Sequence, residues 1–466
     1  MEFPSAVILV YITITTMMYV FADILAVIVL ARVFIKDPKI TEVTERESNT
    51  VPDHLLPMVT ILLPVYKEEL TLPYLFKSIG KINYPRDKLD IRILIEPDDQ
   101  RTLRSVLTLP RHARKINAIK YTKYGFPKVI RVWENLEVTI DYIYLHPKGA
   151  RTKPNALNKG LSGARGPILT IYDAEDRPDP NQLRKAVVYL LKHPKVACVQ
   201  ARLAYYNADQ SLLTKFFSIE YLQHFLVLLP AYYSLRRVIL LGGTSNYFRT
   251  EVLRTLDGWD VLNVSEDADL GIRLARKGHI VVPINSTTWE EAPPKLKPWI
   301  KQRARWNKGF VYSLHFHFKD PLKLVKDIGI SRTIFLFYVL IAPIIFAVSI
   351  PGWIMFGLYW VNWSGMPMPV VPYMIEAFAG NAWLFYLSVF TFLFSFSYMP
   401  LVAVEALMRH GDEYALKKVK YSFLMTFYIY LQIIPSTLAI YEFVRKPKTW
   451  HKTPHGFSIK PKEVRQ

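Results

Sequence analysis

A run of apolar residues, AVILVYITITTMMYVFADILAVIVLARVF from Ala6 to Phe34, is long enough to cross the hydrocarbon core of a lipid bilayer. It is too long for the core of a signal peptide, and no basic stretch precedes it. Arg32 and Lys36 mark its C-terminal end, which the positive-inside rule places in the cytosol. The sequence therefore predicts a transmembrane helix over residues 1–36, followed by a polar linker over residues 37–54.

Three more apolar runs lie near the other end of the chain, at about 333–362, 383–408 and 421–444. Pro343 and Pro351-Gly352 interrupt the first run, so it is either one long kinked span or a tight hairpin of two short spans. We predict transmembrane helices over residues 331–444.

The tail over residues 445–466 has seven Lys/Arg and one Glu, which places it in the cytosol. If the middle of the chain is cytosolic as well, an even number of crossings must separate the two. This requirement favours the hairpin over the single kinked span.

The net charge of +20 raises the question of nucleic-acid binding. The basic residues are spread along the chain and flank apolar runs, which is typical of a cytoplasmic face at an anionic membrane leaflet, so we expect no nucleic-acid partner. Cys198 is the single cysteine, which excludes an intramolecular disulfide and a zinc site built from cysteines.

Residues 55–295 alternate between strand-like and helix-like segments. VTILLPVY, DIRILIEPDD, PILTIYDAED and KVACVQARL are apolar nearly throughout, and helical stretches such as NQLRKAVVYLLKH lie between them. This pattern predicts an α/β domain with a mostly parallel sheet and helices on both faces. Ligands bind such sheets at the C-terminal ends of the strands. Two of these ends carry acids, Asp98-Asp99 and the cluster from Asp173 to Asp176.

Two acidic motifs are candidates for chemistry. Asp173, Glu175 and Asp176 follow a predicted strand and can jointly hold a hard divalent cation, or they form a solvated acidic turn. Glu266 and Asp267 begin a predicted helix, where acids favour the positive helix end; alternatively, Asp267 is a general base that removes a proton from an acceptor hydroxyl.

Three other motifs are candidates for binding. Lys153 in RTKPNALNKG is a candidate contact for a diphosphate, and the small residues of LGGTSNYF allow close approach of the backbone to a ligand. The alternative for both segments is an ordinary loop that binds no ligand. Gln302, Arg305 and Trp306 share one face of a predicted amphipathic helix within residues 296–330. Arg305 has a planar fork for phosphate oxygens and Trp306 a flat face for a sugar ring, whereas a simple membrane anchor is the alternative.

In this order, Asp98-Asp99, Asp173-Ala174-Glu175, Glu266-Asp267 and Gln302-x-x-Arg305-Trp306 resemble the motifs of membrane-embedded family 2 glycosyltransferases, which include cellulose, hyaluronan and chitin synthases. The string GGTSNYFRTEVLRTLDGWD…SEDADLGIRLARKGH…STTWEEAP…QRARWNKGF is most similar to a bacterial and archaeal branch of biofilm-polysaccharide synthase-like proteins. The resemblance covers roughly residues 55–320. It implies a cytosolic GT-A domain over residues 55–295, a UDP- or GDP-sugar donor, Mg²⁺ or Mn²⁺, and inverting transfer.

The resemblance also assigns roles to individual residues. It implies Asp267 as the base with Glu266 beside it, and Trp306, Gly243 and Thr244 as acceptor contacts. Metal binding falls to Asp173 and Glu175, although Glu175 stands where many relatives have Asp, so that Asp176 is an alternative ligand. The implied donor contacts are Pro64, Tyr66, Glu68, Asp98, Asp99, Lys153, Asp173, Gln302, Arg305, Thr453 and His455. The last two belong to WHKTPHG, which is similar to a gating segment of cellulose synthases but has His455 in place of its Lys.

We therefore expect a multi-pass plasma-membrane enzyme that transfers sugar to a growing polysaccharide, processively. One alternative is transfer of a single sugar to a lipid-linked acceptor, such as a polyprenyl phosphate or a glycolipid. A second, from another class, is a transporter or channel regulated by nucleotide sugar, which would not need Asp267.

Overall fold

The computed structural model describes residues 3–108, 120–121, 127–132, 136–143, 152–363, 381–446 and 456. Within these residues the strands form one mixed sheet in the order β3-β4-β5-β2-β1-β6-β9-β8-β10-β7. The strands are β1 (Val59–Val65), β2 (Leu89–Ile95), β3 (Lys120–Tyr121), β4 (Pro127–Val132), β5 (Leu136–Tyr142), β6 (Ile168–Ile171), β7 (Arg177–Pro178), β8 (Val196–Tyr205), β9 (Asn246–Arg249) and β10 (Ile280–Glu290).

The predicted apolar strands form the centre of this sheet. Strands β5, β2, β1 and β6 are parallel neighbours, and β8 and β10 are also parallel. Strand β9 lies antiparallel between β6 and β8. The central strands are buried because both faces of the sheet are covered, by two separate apolar clusters. The carboxyl ends of β1, β2 and β6 consequently meet at one edge of the sheet.

Helices cover the sheet and connect its strands. In chain order they are α1 (Phe3–Lys36), α2 (Glu45–Ser48), α3 (Leu72–Ile79), α4 (Gln100–Thr108), α5 (Lys153–Gly163), α6 (Gln182–Lys192), α7 (Leu212–Leu222), α8 (Leu229–Ser234), α9 (Thr250–Thr255), α10 (Glu266–Arg276), α11 (Leu296–His317), α12 (Pro321–Ile328), α13 (Ile330–Trp363), α14 (Ala382–His410), α15 (Glu413–Leu416), α16 (Met425–Tyr430) and α17 (Ile433–Arg445). A π-helical segment, Gln223–Leu228, joins α7 to α8.

Helices α1 and α14 pack along each other through polar as well as apolar contacts. Thr16 Oγ1 and Ser388 Oγ lie 2.7 Å apart, and Ser395 Oγ donates to Asp23 Oδ1 at 2.8 Å. The hydroxyl of Ser395 thus provides a hydrogen-bond partner for one carboxylate oxygen of Asp23, which lies within the N-terminal apolar run. Helix α13 contacts α1 as well, so the three long apolar helices form a bundle.

Helix α13 runs without a break from Ile330 to Trp363, through Pro351 and Gly352. The hairpin predicted at this Pro-Gly pair is therefore wrong. Proline removes one backbone hydrogen bond from a helix, and here the helix continues beyond it despite that loss. Helix α13 starts beside the α/β domain, and α14 ends beside it, where Arg409 donates to the carbonyl of Pro38 at 2.8 Å. One helix leaves the domain and the other returns.

The last apolar run, from residue 419 to 445, packs along α11. Trp299 Nε1 donates to the hydroxyl of Tyr428 at 3.2 Å, and Lys308 Nζ donates to the carbonyl of Lys446 at 2.9 Å. The start of the tail thus lies on the same side as the α/β domain.

Five helical segments of the described chain are long and apolar enough to cross a membrane by length and composition: Leu9–Lys36, Leu212–Ser234, Ile330–Val348, Ala382–His410 and Val419–Arg445. The second, formed by α7, the π-helical segment and α8, was not expected from the sequence. It packs against α14 and α1 through an apolar cluster that includes Val227, Val402 and Val33, and so lies where the α/β domain meets the bundle.

Candidate functional site

A cavity of about 790 Å³ opens at the carboxyl edge of the sheet, where the sequence predicted a ligand site. Its walls come from the ends of β1, β2 and β6, the first turn of α10 and one face of α11. Twelve of the sequence-predicted residues line it: Pro64, Tyr66, Glu68, Lys153, Asp173, Glu175, Gly243, Glu266, Asp267, Gln302, Arg305 and Trp306. The structure thus brings together motifs that are up to about 240 residues apart in the sequence.

Gly243 lies at the centre of the polar end of the cavity. A Cβ atom at this position would stand 3.2 Å from Asp267 Oδ2, 3.6 Å from Lys153 Nζ and 4.0 Å from Asp173 Oδ2. The two acids and the lysine therefore face one small volume. A side chain at position 243 would occupy part of that volume, which explains why a glycine suits this turn.

Lys153 and Asp173 form an ion pair at the cavity wall. Lys153 Nζ lies 2.6 and 2.7 Å from the two carboxylate oxygens of Asp173 and donates to the carbonyl of Gly243 at 2.8 Å. Burial alone would lower the pKa of Lys153, but nearby carboxylates, that of Asp173 foremost, raise it above its ordinary value. Asp173 is thus placed where it already holds one positive charge.

The acid cluster after β6 is divided between the cavity and the interior. Asp173 and Glu175 line the cavity, whereas Asp176 is fully buried. Asp176 Oδ2 accepts from the backbone N–H of Asp173 at 2.7 Å and from the hydroxyl of Thr244. Burial, reinforced by nearby carboxylates, raises the pKa of Asp176 well above its usual range. In this arrangement Asp176 and Thr244 shape the loops that carry Asp173 and Gly243.

Glu266, which is buried, and Asp267, which is half-buried, form an acidic pair at the start of α10. Burial and the neighbouring Asp267 raise the pKa of Glu266 to about 7. Burial also raises the pKa of Asp267, against the opposing effects of the Ala268 N–H, Lys153 and Arg305. A carboxylate with a raised pKa is a stronger base when it is ionised, which suits a group that accepts a proton.

We expect the activity of this site to fall at a higher pH than for a site with an ordinary carboxylate base, because burial raises the pKa of Asp267, the expected base, above its usual value. The neighbouring Glu266, with its pKa raised to about 7, also becomes protonated as the pH drops through neutrality. In the Glu266→Gln variant, Asp267 loses its negative neighbour, so the acid-side midpoint of kcat/KM should move to lower pH. The measurement is a pH profile of kcat/KM for both proteins; an identical midpoint near pH 4 in both would contradict this assignment.

Helix α11 contributes unsatisfied polar atoms to the cavity. Among the described residues, the buried atoms Gln302 Oε1 and Arg305 Nε have no hydrogen-bond partner, while a terminal nitrogen of Arg305 donates to the carbonyl of Val264 at 3.2 Å. Unpaired buried polar atoms are costly, so their presence on a cavity wall indicates a ligand that pairs with them. Trp306, one turn along from Gln302, lines the same wall.

Helices α10 and α11 pack closely against each other, which fixes the positions of Glu266 and Asp267 relative to Gln302 and Arg305. A Cβ atom at Gly309 would overlap the side chain of Ser265, so the glycine permits this approach. Deeper in the domain, the fully buried Asp269 lies 2.8 Å from His317 Nε2 and accepts from Arg273 Nε at 2.7 Å. The hydrogen bond between Asp269 and His317 ties α10 to the end of α11.

Two cations that the sequence places off the Gln302–Arg305–Trp306 face are buried. Arg303 pairs with Glu220 and lies over the ring of Trp306 at 4.8 Å, and Lys308 contacts the end of α17. Both side chains are buried and hydrogen-bonded, so neither serves as a reference position for an exposed charge on α11. Lys301 on the same helix is exposed and is the better reference position.

Asp98 and Asp99 do not line the cavity. Asp98 is exposed, whereas Asp99 is buried and accepts from the backbone N–H groups of Lys67 and Thr102, so it braces the loop after β1 against α4. Glu96, two residues before Asp98 in the same loop, lines the cavity instead.

Thr453 and His455, predicted to close over the donor, lie outside the described residues. The neighbouring Gly456 is described, and its backbone N–H donates to Glu291. This contact places one point of the tail beside the loop that follows β10.

Glu290 is a cavity residue that the sequence did not reveal. It is the last residue of β10 and lines the cavity with Asp173 and Glu175. Burial, with the charges of those two acids, raises its pKa well above the ordinary value. The available signal was the adjacent acid pair in the string TTWEEAP. Asp173 was selected because acids stand at the end of a predicted strand. The same criterion selects Glu290.

Comparison with known proteins gives a consistent result. The model of Glycosyl transferase family group 2 matches residues 168–434, more than half of the chain. A probable glycosyltransferase of Bacillus subtilis, YdaM, is 28% identical over 258 residues, which cover 55% of this chain and 56% of the relative. A probable glucomannan 4-beta-mannosyltransferase of rice (Oryza sativa subsp. japonica) is 25% identical over 286 residues, which cover 60% of this chain and 45% of the relative. The chain thus spans about half the length of these curated relatives.

A solved structure has the same fold. The mannosyltransferase PcManGT from Pyrobaculum calidifontis, in complex with GDP-Man and Mn²⁺, superposes with a TM-score of 0.51 at 16% identity, over 94% of this chain and 99% of that one. Together with the curled, mostly parallel sheet, this match confirms the predicted α/β GT-A class with a helical C-terminal region. The family match and the fold lead to one conclusion: the chain belongs to Glycosyl transferase family group 2.

Proposed function

We propose that this protein is an inverting hexosyltransferase that moves a sugar from a UDP- or GDP-linked donor to an acceptor hydroxyl. The observation that supports this most is the shared cavity in which Asp267, Asp173 and Lys153 surround Gly243 and α11 contributes unpaired atoms of Gln302 and Arg305 to the wall. A base, a place for positive charge and a phosphate-binding fork are the groups that direct displacement needs. Relatives whose names include mannosyltransferases support a hexose as the transferred group.

In the proposed reaction, an ionised Asp267 oxygen takes the proton of the acceptor hydroxyl. The acceptor oxygen then forms a bond to the anomeric carbon as the bond from that carbon to the diphosphate oxygen breaks. The electron pair leaves with the nucleoside diphosphate, whose growing negative charge Arg305 stabilises through charge-assisted hydrogen bonds. Gln302 orients the donor, Trp306 supports the acceptor ring, and Tyr66, Pro64 and Glu68 border the donor side.

A divalent cation fits the donor set at Asp173 and Glu175. No group of three His, Cys, Asp or Glu suited to a metal ion occurs within the described ranges, so two carboxylates would share the ion with diphosphate oxygens and water. Asp173 holds the ammonium of Lys153 within 2.7 Å, so a divalent ion would share this carboxylate with Lys153. When bound, Mg²⁺ or Mn²⁺ would neutralise charge on the leaving diphosphate.

The location and gating of the enzyme are further parts of the proposal. The basic tail and the positive residues after α1 support a multi-pass plasma-membrane protein with the GT-A domain in the cytosol. The contact of Gly456 with Glu291 supports a role of the tail, with Thr453 and His455, in closing the donor site. A transporter or channel that only binds nucleotide sugar is disfavoured, since binding alone gives no reason for an acidic pair beside the cation site.

The acceptor is the least constrained part of the reaction. The resemblance to biofilm-polysaccharide synthase-like proteins predicts a growing polysaccharide and processive addition. A lipid-linked acceptor is equally compatible with the chemistry at Asp267. The apolar residues that line part of the cavity favour the lipid.

The proposed function is tested with purified full-length protein in lipid nanodiscs, incubated with a panel of UDP- and GDP-sugars and either Mg²⁺ or Mn²⁺. We expect one donor to yield nucleoside diphosphate and a product of inverted anomeric configuration, and excess chelator to abolish turnover. Asp173→Ala should lose activity in both metals. Full activity in excess chelator would contradict the metal site, and a product with retained configuration would contradict direct displacement.

A further inference from the structure

The cavity does not end at the catalytic groups but continues into a pocket with apolar walls. We call this part the apolar arm. Six of the residues that line it come from α8, the loop before β9, α11 and α13: Leu229, Tyr232, Leu240, Phe310, Phe335 and Val339.

The arm lies between two of the segments that are apolar enough to cross a membrane. Phe335 and Val339 belong to the candidate span Ile330–Val348, and Leu229 and Tyr232 belong to the candidate span Leu212–Ser234. The rings of Tyr232 and Phe335 meet edge to face, with centroids 4.7 Å apart, so the two segments form one continuous wall. The arm therefore leads from Asp267 towards the part of the molecule that would lie in lipid.

The lining chemistry discriminates between a glycan and a hydrocarbon. Of the six side chains, only Tyr232 has a polar group, whereas a sugar ring carries several hydroxyls that each need a hydrogen-bond partner once they leave water. A glycan in this arm would leave most of those hydroxyls unpaired. A hydrocarbon chain needs no partners and gains from leaving water.

We propose that the apolar arm holds the hydrocarbon chain of the acceptor, so that the acceptor is a membrane glycolipid whose sugar hydroxyl is presented to Asp267. This inference rests on the proposed glycosyl transfer and names its acceptor class. It differs from chain elongation, in which the bound acceptor is a glycan along its whole length.

The base proposed at the polar end favours a neutral hydroxyl over a phosphate as the attacking group. Asp267 shares this end of the cavity with Asp173 and Lys153. The phosphate of a polyprenyl phosphate is already ionised at neutral pH and needs no base, whereas a hydroxyl has to lose its proton.

The test compares acceptors in the same nanodisc assay. Alkyl glycosides of increasing chain length, free oligosaccharides of the same sugar and polyprenyl phosphate are offered with the accepted donor. We expect only alkyl glycosides to stimulate release of nucleoside diphosphate, with kcat/KM rising by up to roughly fourfold per buried methylene until the arm is filled. Mass spectrometry should show the addition of sugar to the alkyl glycoside.

Two variants on α13 separate the arm from general effects. Val339→Trp fills the arm and should lower kcat/KM for long-chain glycosides by at least about tenfold, through the lost contact of several methylenes, and abolish the dependence on chain length. Ile334→Trp, on the exposed face of the same helix, should change neither. Donor binding and the slow hydrolysis of donor without acceptor should be unchanged in both, which shows that the proteins are folded.

Three results would overturn the inference: equal use of free oligosaccharides and alkyl glycosides, preferential use of polyprenyl phosphate, or an unchanged chain-length dependence in Val339→Trp. These results are distinct from failure of the proposed function. That failure would appear as no consumption of any donor by the wild-type protein, or as donor hydrolysis that persists in Asp267→Asn, and the inference would fall with it.

Discussion

Asp267→Asn is expected to lower kcat by about 10²–10⁴-fold while leaving the affinity for the nucleotide-sugar donor nearly unchanged. Asn has the shape of Asp but cannot accept a proton from the acceptor hydroxyl. Asp267 Oδ1 accepts from the Ala268 N–H at 2.8 Å, a contact that the amide oxygen of Asn can make equally well. The loss should therefore appear in the chemical step and not in folding. It is measured by steady-state kinetics beside donor binding by calorimetry.

Asp209→Asn is the matched control, because it makes the same chemical change at an exposed position outside the cavity. Its activity should equal that of the wild type. If Asp267 only stabilised the start of α10, Asn would serve as well, since Asp and Asn are about equally good at helix N-termini. Turnover of Asp267→Asn within about threefold of wild type would leave Asp267 with that structural role and remove the base from the proposed mechanism.

The sheet was predictable because buried parallel strands are apolar on both faces. Strands β1, β2, β6 and β8 each correspond to an apolar run in the sequence, and α6 corresponds to the amphipathic run between two of them. The rule that ligands bind at the carboxyl ends of such strands then located the cavity. These features depend on local composition, which a single sequence contains.

The direction in which each acid points was not predictable. Asp173 and Asp176 are three residues apart in one loop, yet one lines the cavity and the other is buried beneath it. Glu96 and Asp99 divide in the same way. A turn of a few residues rotates successive side chains to opposite sides, and its path depends on distant partners such as Thr244. Nothing local distinguishes the acid that braces a loop from the acid that meets a ligand.

The cationic residues of α11 show the same limit. Helical spacing correctly groups Gln302, Arg305 and Trp306 on the cavity wall, because that grouping follows from the helix period alone. Arg303 lines the same cavity, which helical spacing did not predict. Its side chain is buried there against Glu220, a partner 83 residues away, and no periodicity within α11 reveals such a partner.

Arg305→Lys is expected to lower kcat/KM for the donor by about 10- to 100-fold, because one or two charge-assisted hydrogen bonds are lost at about 1.5–3 kcal/mol each. In the present structure Arg305 offers an unpaired Nε while a terminal nitrogen is held by the carbonyl of Val264. The guanidinium is thus anchored at one point with a second donor directed to the ligand. Lys keeps the charge but cannot provide both contacts from one ammonium. Steady-state kinetics with varied donor gives the effect.

The alternative is that the cationic segment around Arg305 serves only to hold the protein at a lipid surface, in which case any basic residue suffices. Lys301→Arg tests the general effect of exchanging the two cations on α11, because Lys301 is exposed, and its activity should be unchanged. Equal amounts of each variant in the membrane must be compared, so that insertion is not mistaken for catalysis. A wild-type rate for Arg305→Lys at equal insertion would favour the anchor and leave the diphosphate without its proposed partner. A loss confined to Arg305→Lys follows only if the fork of this one residue binds the donor, since the net charge of the segment is the same in all three proteins.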